Sequence, residues 1–345
     1  METYFQRVQQ QTPTRYWINN PSTPEIDLAL AAGAISCTTN PAYCSKLIKS
    51  DREYLHGVID SVIRETRDDE VAADRVVQLT SQRLMDRFRP LYDQGQGGFV
   101  TIQSDPRHDH DAESLIRPML SYRKLGPNFM TKIPVTAPGL KAIEAAVAAN
   151  VPICATEVFA VSQAIGLCEC YEAAAKRTGN RPPIYVTHIS GIFDEYLEKV
   201  ARREGLQVSP DALRQAGCTI ARRQYRLLKQ RGYRTTLLGG GARGTHHFSE
   251  LVGGDVHITI NWNTADELIK ANTSVVSRID AETPAAVIEE LCEKFPAFRQ
   301  AWAEDGLQEE EFEDYGPVQL FRNAFINGYY QLLAEVVSRR HALAL

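Results

Sequence analysis

Lys132 stands alone in an apolar, strand-like run, Phe129-Met130-Thr131-Lys132-Ile133-Pro134-Val135-Thr136. A lysine in water has a pKa of about 10.4, so at neutral pH only roughly one amine in two thousand is free to attack a carbonyl. Burial disfavours the ammonium form, lowers the pKa and makes such a lysine a Schiff-base nucleophile. Proline cannot donate to a sheet ladder, and a closed barrel has no edge to hide it on, so Pro134 is expected near the end of its strand, as is Pro41. Lys132 then lies two residues before that end, on the face shared with Pro134 and Thr136.

Other apolar runs also finish on a polar group: Asn19, Thr38 with Asn40, Gln103, Thr156, Thr187, and Thr259 with Asn261. Converging on one mouth, these side chains suit a polyol, because unpaired buried amides and hydroxyls cost roughly 1 to 3 kcal/mol each. The turn Gly239-Gly240-Gly241-Ala242-Arg243-Gly244-Thr245 adds an anion signal. Its glycines let backbone N–H groups curl around a phosphate, Arg243 supplies a planar charged fork, and Thr245 is a good helix cap. Asp105-Pro106-Arg107-His108-Asp109-His110-Asp111 crowds metal-binding residue types together. Consecutive positions rarely converge on one ion, so this run reads as a solvated loop and no metal site is expected. Cys168 and Cys170 read as core residues, and the basic run Ala221 to Arg226 as the outer face of a helix.

The elements that would carry these groups alternate along the chain. Strand-like runs occur at Tyr16 to Asn19, Ala34 to Thr39, Phe99 to Gln103, Met130 to Val135, Pro152 to Thr156, Pro183 to Thr187, Tyr233 to Leu238 and Val256 to Ile260. Amphipathic stretches lie between them, such as Gly139 to Ala149, Phe159 to Arg177 and Thr245 to Val252. Eight such units predict an α/β fold, a closed (β/α)8 TIM barrel forming one domain over 1–345. Residues 50–91 and 210–230 read as helical insertions, and 283–345 as a C-terminal helical extension over the barrel or a partner subunit, which leaves a homodimer open.

With 38 basic and 43 acidic residues among 345, the net charge is -5. An acidic balance without a basic cluster disfavours nucleic acid as a partner. The longest uncharged apolar stretches, about a dozen residues, fall short of the roughly 18 that a membrane span needs. The start, Met1-Glu2-Thr3-Tyr4-Phe5-Gln6-Arg7, has no basic segment followed by an apolar core, so a cytoplasmic location is expected. The seven scattered cysteines suit reduced thiols packed as small hydrophobes.

Gly33-Ala34-Ile35-Ser36-Cys37-Thr38-Thr39-Asn40-Pro41 is similar to the TTNP segment of the transaldolase family. Lys132-Ile133-Pro134-Val135-Thr136-Ala137-Pro138-Gly139-Leu140 resembles the motif around that family's Schiff-base lysine. Weaker similarity runs through Thr156, Thr187 to Tyr196, Ala242 to Thr245 and the C-terminal helices. Transaldolases are (β/α)8 barrels with this lysine on strand four, and Lys132 falls on the fourth candidate strand. The resemblance implies that Lys132 attacks a ketose carbonyl and forms an imine that accepts electrons as a carbon-carbon bond breaks. A dihydroxyacetone unit stays attached, to be passed to an aldehyde or, in the related fructose-6-phosphate aldolases, released by water. No metal or other cofactor is implied. By the same resemblance, Gln103 and Thr156 position a catalytic water and Asn40 holds the dihydroxyacetone carbons. Thr38, Thr187, Gly240 and Gly241 contact substrate, and Arg243 holds the phosphate.

The departures from that pattern concern proton transfer and the phosphate. Asn19 stands where the family has its strand-one aspartate, Gln103 replaces a strand-three carboxylate as in the aldolase-type members, and Thr187 replaces a serine. Ile189 and Ile192 replace an aromatic residue and an arginine. Glu157, Tyr185 and His188, with His246 and His247, are candidates for the missing acid and base, His188 foremost because strand six opens there. For Glu157 the alternative to that role is a side chain that faces the helices. A barrel that only binds a sugar phosphate, and a metal-dependent barrel enzyme using residues 105–111, are the competing expectations.

Overall fold

The computed structural model describes residues 2–344. Eight parallel strands close into one barrel in sequence order: β1 Arg15–Asn19, β2 Ser36–Thr38, β3 Val100–Ile102, β4 Phe129–Pro134, β5 Ile153–Val158, β6 Ile184–Ile189, β7 Thr236–Gly240 and β8 Val256–Ile260. This is the expected (β/α)8 barrel. Closure is made by β1 against β8, where Trp17 registers with Thr259. Pro134 ends β4 opposite Thr156, and Pro41 lies beyond β2, so neither breaks the ladder. One face of every strand therefore points inward with period two.

The lower part of the interior is filled, not hollow. Trp17, Met130, Cys154 and Leu238 pack there against Phe99 and Tyr185. Trp17 Nε1 donates to His257 Nδ1 at 2.9 Å, and burial holds His257 down at about 3, which keeps that acceptor nitrogen unprotonated. Helix Tyr4–Gln11, which strand and helix periodicity did not predict, packs beside β1 and stacks Phe5 on Tyr16 at 4.1 Å. Its start carries a capping box of Thr3 and Gln6, a signature present in the sequence.

Two loops carry extra helices. Between β2 and β3 lie Tyr43–Ser50, Arg52–Glu65 and Asp69–Asp93; between β6 and β7 lie Ser190–Glu204 and Pro210–Gln230. After β8 come Trp262–Ala271, Ala285–Lys294, Pro296–Trp302 and the long helix Gly316–Ala342. The last helix lies against all three helices that follow β2, against Ser190–Glu204, and against β5 and the turn after β3. At Gly328 a Cβ would meet the Ala42 Cα at 2.7 Å, so helix and loop touch backbone to backbone.

Among the described residues no helix is long and apolar enough to cross a membrane. All seven cysteines are free thiols.

Candidate functional site

The strand ends frame a cavity of about 490 Å³. Lys132, Asn19, Thr38, Asn40, Thr187, Gly240, Gly241 and Arg243 all line it, whereas Gln103, Thr156 and His188 do not. Lys132 is 6% exposed, its Nζ donates to the Thr39 carbonyl at 3.2 Å, and it lies 5.1 Å from the centre of the Phe325 ring on the C-terminal helix. Burial lowers its pKa, against the opposing pull of the Cys154, Glu157 and Asp109 side chains. The result is a desolvated amine, lowered in pKa, at the wall of a polar cavity.

Thr136 does not stay on the lysine's face. It leaves the strand to cap helix Ala137–Ala148, accepting from the Gly139 N–H at 3.2 Å. A Cβ at Gly139 would meet the Pro134 carbonyl oxygen at 1.8 Å, so only glycine allows this turn to follow the lysine strand so closely.

Opposite Lys132 the polar groups are tied to each other. Thr38 Oγ1 donates to Asn19 Oδ1 at 2.9 Å and lies 2.6 Å from Thr259 Oγ1, while Asn19 Nδ2 donates to Asn261 Oδ1 at 2.8 Å. Asn40 accepts at Oδ1 from Asn20 Nδ2 at 3.0 Å. Sequence reasoning missed Asn20, whose φ of +46° suits the left-handed conformation that asparagine tolerates. It also missed Lys46, which reaches the Asn20 carbonyl at 2.8 Å and Glu25 at 2.7 Å.

The anion loop differs from expectation. Gly239 and Gly240 belong to β7, registered with His188 and Ile189, so the turn itself starts at Gly241, whose φ is +66°. Gly240 keeps the cavity wall open, since a Cβ there would sit 3.2 Å from Thr187 Cγ2. Thr245 makes no side-chain cap on the short helix His246–Ser249. Arg243 donates from Nε to Glu195 at 2.9 Å, and Ile192 lines the wall beside it. Behind the loop, His247 Nε2 is 2.9 Å from Asp194 Oδ2, and the Arg243 N–H donates to His247 Nδ1 at 3.3 Å. These groups brace the loop and do not line the cavity.

His188 is a correction. Thr187 faces inward, so its neighbour faces out, where His188 Nε2 lies 2.9 Å from the Gly217 carbonyl of helix Pro210–Gln230. Burial pushes its pKa down to about 4. Tyr185 likewise lies in the packed lower interior, 4.9 Å from Trp17.

Gln103, Thr156 and Glu157 fall in a separate buried group. β5 carries a bulge between Ala155 and Val158, and Glu157 sits in it at a φ of +60°. Bulges re-aim side chains. This one brings Glu157 Oε2 to 3.9 Å from Arg322 Nε of the C-terminal helix, so of the two expectations for Glu157, a proton-transfer candidate or a residue facing the helices, it faces a helix, the one that follows the barrel, outside the cavity. Asp109, expected in a solvated loop, is 1% exposed, although His108 and His110 beside it are exposed. Arg107 engages Asp105 at 3.0 Å in the same turn.

Residues 16–313 match the family model described as transaldolase/fructose-6-phosphate aldolase. A transaldolase of Saccharopolyspora erythraea is 29% identical over 205 residues, covering 53% of this chain and 55% of that protein. Transaldolase 1 of Streptomyces avermitilis is 31% identical over 147 residues, covering 41% and 39%. A transaldolase of Mycobacterium ulcerans is 27% identical over 232 residues, covering 58% and 60%. The chain thus spans about half the length of these relatives.

Proposed function

Because the chain belongs to the transaldolase/fructose-6-phosphate aldolase family, we propose that it moves the dihydroxyacetone unit of a ketose or ketose phosphate through an imine on Lys132. The observation that carries this reading is a desolvated amine, lowered in pKa, in the wall of a polar cavity. The neutral amine adds to the ketose carbonyl, and the carbinolamine loses water to give an iminium. Removal of the proton from the C4 hydroxyl lets the C3–C4 bond break. Its electron pair moves into the iminium as an enamine, and an aldehyde leaves. The enamine then attacks an acceptor aldehyde or takes a proton, and hydrolysis restores Lys132.

Thr38, Asn19 and Asn261 form a preorganised hydroxyl and amide wall suited to sugar hydroxyls, with Asn40 fixed by Asn20. Asn19 acts in this wall as a hydrogen-bonding group, because an amide does not cycle a proton. Gln103 and Thr156 lie outside the cavity, so their part is to support the Lys132 side. Thr187, Gly240, Gly241 and Arg243 border the far end, where a phosphate would meet Arg243 already paired with Glu195. The reading needs no metal or other cofactor and places the enzyme in cytoplasmic carbohydrate metabolism, as a single domain that can pair as a homodimer.

Borohydride treatment with dihydroxyacetone or fructose 6-phosphate, followed by intact mass, tests it. A reduced adduct is expected on the wild-type protein and none on Lys132→Met, with turnover unaffected by a chelator. No adduct with any ketose, which a barrel that merely binds sugar phosphate would give, or an adduct that survives Lys132→Met, overturns the reading. Release of free dihydroxyacetone in place of transfer to an added aldehyde would mark the aldolase form, for which Gln103 is the favouring residue.

A further inference from the structure

Next to Lys132, outside the cavity, five side chains form a buried polar group, of which Asp109, Glu157 and Arg322 have no role in the steps above. Gln103, Asp109, Thr156, Glu157 and Arg322 are each 7% exposed or less. Both ends of the Gln103 amide, both carboxyl oxygens of Asp109 and of Glu157, the Thr156 hydroxyl, and Nε and Nη2 of Arg322 have no hydrogen-bond partner within the chain. Buried polar groups need partners, so these atoms are the ones left to serve protons or water. The left-handed backbone at Glu157 is a conformation that residues with a Cβ rarely adopt. A left-handed bulge residue beside so many polar groups without partners in the chain marks a candidate functional site.

The charges that meet there come from four elements. Glu157 arrives on the β5 bulge, Asp109 on the turn after β3, Arg322 on the C-terminal helix and Lys132 on β4. Arg322 is also paired through Nη1 with Glu313 at 2.7 Å. Asp105, which faces Asp109, is taken by Arg107, and the Cys154 thiol beside Lys132 is held neutral by burial. Gln103 lies beside both carboxyls, its amide outside hydrogen-bonding geometry.

Burial pushes Glu157 up to about 7 and Asp109 well above the usual carboxylate range, with Asp109 further raised by Glu157. Two buried carboxyls sensing each other do not both ionise. Lys132 is pushed the opposite way by the same burial. Arg322 and Glu313 cancel, so the group is neutral in two arrangements. Either the lysine is an ammonium beside a singly ionised pair, or it is a free amine beside two protonated carboxyls.

We propose that Asp109 and Glu157 are a carboxyl pair that takes the proton Lys132 must lose to become a nucleophile and returns it when the imine forms. The pair acts through Lys132, since neither carboxyl lines the substrate cavity, and the proposal rests on the imine reading above. The proton passes from the Lys132 ammonium to the ionised carboxyl by way of an intervening group, because neither carboxyl lies within ion-pair distance of Nζ among the described residues; the free amine adds to the ketose carbonyl; and the carbinolamine hydroxyl leaves as water with that proton. What remains is an iminium cation beside a singly ionised pair, which serves as its counter-ion. In a low-dielectric interior a cation without such a partner is strongly disfavoured.

Glu157→Gln and Asp109→Asn, isosteric and uncharged, test the pair with dihydroxyacetone and borohydride. Each is expected to slow trapping about tenfold or more, the equivalent of one pH unit of proton affinity. Each should also erase the trapping limb near neutral pH, with KM for fructose 6-phosphate little changed. Infrared spectra of the unliganded wild-type protein at pH 7 should contain protonated carboxyl stretches, from which each variant removes its own contribution. Unchanged trapping rates and pH profiles in the folded variants, or no such band in the wild type, overturn the proposal. A wild-type protein that forms no adduct at all sinks the imine reading instead. Should Glu157→Gln fail to fold, Asp109→Asn carries the same readouts from an unstrained position.

Discussion

His188 is held neutral at about 4 and His257 at about 3, while their unfolded values lie near 6.5. The unfolded chain therefore binds more protons below pH 6.5, and the stability these residues allow is lost as pH falls through that window. Glu157 has the opposite sign. Its folded value of about 7 exceeds the unfolded 4.5, so its contribution is complete below pH 4.5 and is lost as pH rises to about 7, with Asp109 adding in the same direction. Urea midpoints of the wild type should stay level between about pH 4.5 and 6.5, where the two effects oppose, and fall on either side. His188→Gln should flatten the acid side, and Glu157→Gln should gain up to about 3 kcal/mol at pH 8 relative to pH 4.5. A Glu157→Gln gain equal at both pH values would mean that Glu157 titrates normally. Lys132 was legible because a lone charge in an apolar run leaves few explanations. His188 was misread although strand alternation, counted from Thr187, turns it outward. Asp109 was not legible, because its burial is decided by a helix some two hundred residues downstream that covers one position of an otherwise polar loop.

Hydrophobic runs located all eight strands, while their ends shifted. Gly239 and Gly240 read as turn because glycine punctuates loops, yet they extend β7, and β5 runs past Thr156 through a bulge that no period-two pattern announces. The C-terminal helix was legible as helix. Its path across the mouth was not: Phe321, Phe325, Gly328, Tyr329 and Leu332 recur at helical spacing and mark which face is buried, but spacing does not say what that face covers, and Arg322 and Gly328 dilute its apolar signal. That path sets the site: Phe325 covers Lys132, Arg322 faces Glu157, and Gly328 lies on Ala42, two residues beyond Asn40. Gly328→Val should therefore act on the site through the helix. Overpacking typically costs 1 to 3 kcal/mol, and backbone contact leaves no flexible side chain to yield. The expected outcome is a lower melting temperature together with slower borohydride trapping, as water reaches Lys132 and restores its ammonium form. Lower stability with an unchanged trapping rate and pH profile would show that the helix stabilises the barrel without controlling the lysine.

Over the whole molecule, if the proposed substrate is a sugar phosphate, an acidic protein of net charge -5 would hold it with whatever cations its mouth leaves uncommitted. Besides Lys132, three line the cavity, and two are already matched: Lys46 by Glu25 at 2.7 Å and Arg243 by Glu195 at 2.9 Å. Lys49 makes no ion pair among the described residues. Ile192 adds an apolar wall where a second guanidinium would strengthen an anion site. A phosphate arriving at this end would compete with Glu195 for Arg243, and exposed pairs of this kind are worth only about 0.2 to 1 kcal/mol. Glu195→Gln removes that competitor and one negative charge while leaving Lys132 and the hydroxyl wall untouched. KM for fructose 6-phosphate should fall by up to about fivefold at low ionic strength, the upper end of that energy range, and the gain should shrink as salt screens the half-exposed arginine. Trapping of unphosphorylated dihydroxyacetone should not respond to the same substitution. Equal responses for both sugars would place the phosphate elsewhere on the rim, with Lys49 as the cation to remove next.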